Sequence, residues 1–120
     1  MGSQHYLIIS TAAPYSGVKP RAALDMALTA AAFEQEVTIV FRDEAVRQLL
    51  NGQVTDNSGL KNIGKMISGL KMYDVKRICI HTPSLSLESI NNEHLLDGID
   101  TVSDADLKSL VASADQVMVY

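Results

Sequence analysis

The chain has 120 residues, is 47% apolar and 20% charged, and carries a net charge of −4. That is enough for a single domain, residues 1–120, whose core needs no disulfide or metal, since a chain of this size buries about two-thirds of its unfolded surface. The acidic balance speaks against direct nucleic-acid binding through the overall field. The one cysteine, Cys79, excludes an internal disulfide and suits the reducing cytoplasm. No apolar run nears the ~20 residues that span a bilayer.

Tyr6 to Ile9 is a short apolar run with the character of a strand buried on both faces. A loop of small residues follows, Ser10 to Gly17, broken by Pro14 and Gly17. Pro20 suits a first helical position. Leu24, Ala27, Leu28 and Ala31 then repeat on one helix face, with alanines small enough for close approach to a sheet. Val37 to Phe41 is a β-branched second strand. Asp43 is placed to N-cap a helix carrying Val46, Leu49 and Leu50, ended by Asn51-Gly52. Gln53 to Gly59 is a polar loop. Leu60, Ile63, Ile67 and Leu70 mark a further amphipathic helix, weakened by Gly64 and Gly69. Arg77 to His81 is a third strand, stopped by Pro83. Ser84 to Gly98 reads as a loop with a short helical turn, and Ile99 to Val102 as a short fourth strand. Ser103 and Asp106 have capping-box spacing ahead of a helix bearing Leu107, Leu110, Val111 and Ala114. Gln116 to Tyr120 is the last strand. Strand and helix alternate throughout. The expectation is an α/β three-layer sandwich: a mainly parallel, roughly five-stranded sheet in flavodoxin-like order, covered by helices on both faces.

Several chemistries are missing from the sequence. No G-x-G-x-x-G follows the first strand, no phosphate-cradling G-x-x-x-x-G-K-[ST] occurs, and there is no G-x-S-x-G nucleophile elbow. His5, His81 and His94 lack metal-ligand spacing, so neither a metal nor a cofactor is expected. Attention therefore falls on the carboxyl ends of the strands, where open α/β sheets bind ligands at the reversal of strand order. With the first and third strands flanking that point, the candidates are Ser10, Thr11 and Tyr15 on one side and His81, Thr82 and Ser84 on the other. Cys79 and His81 share one side of their strand by period-2 alternation. They are the catalytic candidates, a thiol nucleophile and a base, although Cys79 between Ile78 and Ile80 has the setting of a small buried hydrophobe. A Ser10/His81/Asp43 triad has no support from spacing alone.

Three stretches resemble one family. Ile8-Ile9-Ser10-Thr11-Ala12-Ala13-Pro14 looks like the opening of TusC/DsrF proteins, branch members of the DsrE-type sulfur-relay family. Phe41 to Gln53 is similar to the family's signature F-x-x-D-G-V-x-Q-L-L-x-G-Q, matching at Phe41, Asp43, Val46, Gln48, Leu49, Leu50, Gly52 and Gln53, with Glu44 in place of a usual glycine. Leu70-Lys71-Met72-Tyr73-Asp74-Val75 looks like the family's L-x-L-Y-D-I before the third strand, while Ser86 to Asn91 departs from its pattern. The resemblance implies a DsrE-like fold and a non-catalytic subunit. Its implied partners are TusB/DsrH-like and TusD/DsrE-like chains, two copies of each subunit in a heterohexamer. The implied role is passing persulfide sulfur, toward 2-thiolation of the tRNA wobble uridine or in sulfur oxidation. In such complexes the DsrE-like subunit carries the reactive cysteine just after its third strand, and the matching position here is His81. Interface contributors would include Tyr15, Met66, Met72, Tyr73, Leu85 and Leu87. Two other readings stay open: a stand-alone DsrE-like sulfurtransferase using Cys79, or a small-ligand flavodoxin-like domain using the Ser10-to-Gly17 loop as an anion nest. A homo-oligomer is also open to the chain when isolated from its partners.

Overall fold

A computed structural model of the chain describes residues 4–14, 17–49, 63–90, 95–96 and 98–120. Five strands, β1 (His5–Ser10), β2 (Glu36–Phe41), β3 (Arg77–His81), β4 (Asp100–Val102) and β5 (Gln116–Val119), form one sheet in the order β4-β3-β2-β1-β5. Every pairing is parallel. The helices are α1 (Lys19–Ala32), α2 (Ile63–Gly69), α3 (Thr82–Leu87) and α4 (Asp104–Ser113). The α/β class and helix cover on both faces are as expected. The strand order is not the flavodoxin-like one: β1 lies between β2 and β5, and β3 is separated from it by β2. The reason is the direction of travel. The chain steps from β1 outward to β4 and makes one reversal, from β4 back over the sheet to β5. Right-handed crossovers place the connections of the outward steps on one face and the returning α4 on the other.

The two faces follow strand alternation. Ile8, Ile39, Phe41, Ile78 and Ile80 point into the larger core, with Ala23, Leu24, Ala27 and Leu70 against them. Leu7, Ile9, Val40, Cys79 and Val102 point the other way and meet Leu107 of α4, with Leu110 and Ala114 at its margin.

Local signals explain several boundaries. Pro20 occupies the first turn of α1, where its missing N–H costs no hydrogen bond. The capping box of α4 forms as spaced: Asp106 N donates to Ser103 Oγ at 3.1 Å and Ser103 N donates to Asp106 Oδ2 at 3.0 Å. Two expectations are corrected. Asp43 does not cap an α-helix; it opens a 3-10 turn (Asp43–Leu49) at φ 53°, in the left-handed region that Asp tolerates better than most residues. Pro83 does more than stop β3, since it stands in the first turn of α3, the short helical turn expected after Ser84 but begun two residues earlier, at Thr82. The helix expected from Leu60 is described from Ile63, and tightens into a 3-10 turn at Leu70–Tyr73 before Asp74 at φ 69°. The expected loop at Gln53 to Gly59 lies outside the described residues.

Candidate functional site

At the carboxyl ends of β1, β2 and β3 the polar side chains form a hydrogen-bonded rim. Ser10, the last residue of β1, is buried, and so is Gln48 in the 3-10 turn that follows β2. The Gln48 amide donates to Ser10 Oγ at 3.1 Å and to Ala12 O at 2.9 Å, tying the β1 loop to that turn. Beyond it, Asp43 N donates to Ser84 Oγ at 2.9 Å. Ser84 Oγ lies 2.6 Å from His81 Nδ1, and His81 Nε2 lies 2.6 Å from Asp104 Oδ1. A carboxylate oxygen only accepts, so His81 Nε2 donates to Asp104 Oδ1, and in the neutral imidazole Nδ1 is then the acceptor of the Ser84 hydroxyl proton. Thr82 Oγ1 donates to Val102 O at 3.1 Å, and Thr11 Oγ1 to Tyr120 O at 2.8 Å.

The Ser84–His81–Asp104 chain has the residue types of a hydrolase triad in an inverted setting. The hydroxyl is fully buried, the imidazole nearly so, and the carboxylate, with 81% of its side chain exposed, faces solvent. A nucleophile must reach its substrate while the carboxylate orients from behind; here those positions are exchanged. The arrangement instead braces β3, the start of α3 and the start of α4 against one another.

Cys79 sits on the α4 face of β3, 0% exposed, packed with Leu7, Val40 and Leu107. Burial pushes its thiol up to about 11, against a smaller lowering by the Arg77 charge. A thiol held there is almost wholly protonated near neutral pH, which removes the thiolate that nucleophilic attack requires.

Of the residues singled out from sequence, Ser84 and His81 meet directly. Ser10 joins neither, because β2 intervenes; it meets Gln48 instead. The Ser10/His81/Asp43 grouping does not form: the Asp43 carboxylate lies 3.5 Å from Arg42 Nε, and only the Asp43 backbone reaches the site. Thr11 and Thr82 bind neighbouring strand carbonyls. Tyr15 lies outside the described residues, as do His94 and the Leu50-to-Gln53 end of the signature. Leu85 is buried and Met66 half-buried, whereas Met72, Tyr73 and Leu87 are exposed. Sequence reading missed Gln48 and Asp104 as members of the rim. Gln48 was visible inside the Q-L-L signature; Asp104 looked only like the acidic first turn of a helix. Among the described residues no cluster of His, Cys, Asp and Glu could hold a metal ion, and no helix is long and apolar enough to cross a membrane.

The DsrE/DsrF-like family profile matches residues 4–120. The chain belongs to that family. A protein named TusC homolog from Pseudomonas aeruginosa is 33% identical over 97% of this chain and 98% of its own length. A second TusC homolog, from Aliivibrio fischeri, is 30% identical over 90% of this chain and 92% of its own. The intracellular sulfur oxidation protein DsrF of Allochromatium vinosum is 33% identical over 77% of this chain and 68% of its own. These place the chain in the family's TusC/DsrF branch. The fold of the YchN protein from E. coli superposes with a TM-score of 0.87, at 23% identity, over 98% of this chain and 99% of that one. This second likeness concerns the fold alone.

Proposed function

We propose that this TusC/DsrF-branch chain is a subunit of a sulfur-relay complex that passes persulfide sulfur without carrying it on its own thiol. The observation behind the reading is Cys79: fully buried under α4, with its thiol raised to about 11. Relay requires an accessible thiolate to attack a persulfide sulfur and become the next carrier. The position at the end of β3, matched in the family resemblance to a DsrE-like subunit's cysteine, is His81, engaged on both ring nitrogens. A residue so tied shapes the rim; it does not accept sulfur. The carrier thiol then belongs to a TusD/DsrE-like partner, with a TusB/DsrH-like chain completing a heterohexamer of two copies each in the cytoplasm. The exposed Met72, Tyr73 and Leu87 offer apolar contact area of the sort stable assemblies use. The names of the relatives favour sulfur trafficking in general; 2-thiolation of the tRNA wobble uridine and sulfur oxidation are both compatible destinations, and any tRNA contact would be indirect.

The test is co-purification of the tagged chain from its native cells, with mass spectrometry of partners and thiols. Two small family members should come with it, a persulfide on one of them and Cys79 bare. Sulfur on Cys79 of a chain recovered alone would overturn the reading and make this chain the carrier.

A further inference from the structure

The two edges of the sheet are built differently. The β4 edge is three residues long and begins at Asp100, whose carboxylate lies 3.2 Å from Arg77 Nε. Short length and charge are the usual ways of keeping an edge from pairing with another strand. The β5 edge is also short, four residues, but it lacks the charge: Gln116-Val117-Met118-Val119 carries none. In register with β1, Val117 stands beside Leu7 and Val119 beside Ile9, on the face covered by α4. Leu7 and Ile9 are 0% and 5% exposed, whereas Val117 and Val119 are 40% and 66% exposed. Val111 of α4 is 43% exposed.

The backbone defines what fits there. Tyr120 N donates to Ile9 O, and Thr11 N donates to Tyr120 O. Alternate residues of a parallel ladder turn to the same neighbour, so Met118 and Tyr120 face β1 while Val117 and Val119 turn their N–H and C=O groups outward. These outward groups lie symmetrically about Met118. An antiparallel strand of the same sequence, related by a two-fold axis through Met118, sets Val117 opposite Val119 of the second copy as a hydrogen-bonded pair, and Val119 opposite Val117 likewise.

We propose that β5 pairs antiparallel with β5 of a second copy of this chain, centred on Met118, joining the two sheets into one. The two-fold axis is perpendicular to the sheet, so both α4 helices lie on the same side and Val117 and Val119 of the two copies line the seam between them. An interface of this type is isologous: one patch serves both copies. The inference rests on the edge geometry and does not depend on the sulfur-relay reading.

The purified full chain is followed by sedimentation velocity and light scattering over a micromolar-to-millimolar series. A monomer–dimer equilibrium is expected, and Val119→Lys should weaken the dimer about tenfold or more, with circular dichroism verifying the fold. Met118→Cys gives an arm that does not depend on that substitution. Directly opposite residues of a non-hydrogen-bonded antiparallel pair have Cα atoms ~4.5 Å apart, within disulfide reach. With oxidised glutathione as electron acceptor the two copies should cross-link through position 118, while Ser109→Cys, on the exposed side of α4, stays unlinked. A monomer at every concentration with no cross-link at 118 overturns the proposal. So does a dimer indifferent to Val119→Lys that leaves Met118→Cys unlinked. Loss, in Val119→Lys, only of a complex with a different protein would assign the edge to a foreign strand and overturn it equally.

Discussion

The face of the sheet that packs on α1 is apolar through its centre, where Ile8, Ile39, Phe41, Ile78 and Ile80 are buried, with Ser10 at the end of β1 the buried polar exception. The face under α4 mixes Leu7, Ile9, Val40 and Cys79 with Thr38, Arg77 and His81. Chain direction accounts for the difference. The outward steps of the chain build one thick layer, and the single return step supplies a ten-residue helix for the whole of the other face. Alternation along β3 then puts Ile78 and Ile80 in the thick core and Arg77, Cys79 and His81 on the thin side. The chemistry of β3 therefore lies on the face with least cover, and whether a group there is reactive depends on where α4 crosses. Cys79 lies under the helix and is silent; His81, at the strand end, reaches the first residue of α4.

That contrast can be tested by substitution. Phe41→Ala opens a cavity in the thick core and should cost about 3–5 kcal/mol, read by urea unfolding. Leu107→Ala under the thin cover should cost less, about 2 kcal/mol, because a single ten-residue helix on that face can settle into the space left. Equal costs would mean that the two faces are equally well packed and would break the comparison. Ser84→Ala takes a partner from both Asp43 N and His81 Nδ1 and should cost about 1–3 kcal/mol. Little or no loss would show that the rim does not brace β3 to its neighbours.

Two pH effects follow at smaller scale. Burial holds the Cys79 thiol at about 11 in the folded chain, while an unfolded thiol ionises near ~8.5. Between those values the unfolded state has lost the proton that the native state keeps, so stability should fall as pH rises through that window. Cys79→Ala should remove the alkaline slope even if it lowers stability overall. Asp106 shows the opposite sign. Hydrogen bonds from Ser103, backbone first and hydroxyl second, hold its carboxyl below the ordinary range. Its contribution is present above the unfolded carboxylate value of ~3.9 and disappears as pH falls through the lower native value. Asp106→Asn should flatten stability against pH at that acidic end and change little near neutrality in slope. Ser103→Ala, which removes the cap itself, should cost about 1 kcal/mol at neutral pH.

Much of the fold was legible because much of it is local. The strands announced themselves by short apolar runs, α1 by its alanines, and the Ser103–Asp106 box by spacing alone; each depends on residues a few positions apart. The errors are where distant contacts decide. Asp43 carries an N-cap side chain, yet its backbone N–H is claimed by Ser84, 41 residues away, and the chain turns into a 3-10 segment. Pro83 is compatible with ending a strand and with starting a helix, and the rim around His81 selects the second. Gln48 reads as one polar residue in a signature until its amide is seen closing the β1 loop.

By itself the sequence determined the alternation of strands and helices, the single thiol, and the resemblance to the TusC/DsrF branch, since all three reside in residue types and short spacings. Only the tertiary structure decided the order β4-β3-β2-β1-β5. That order depends on which distant strands pair and on which face the last crossover returns, and no local pattern encodes either. From it follow the separation of Ser10 from His81, the meeting of His81 with Asp104, the burial of Cys79 beneath α4, and the uncharged β5 edge left facing outward.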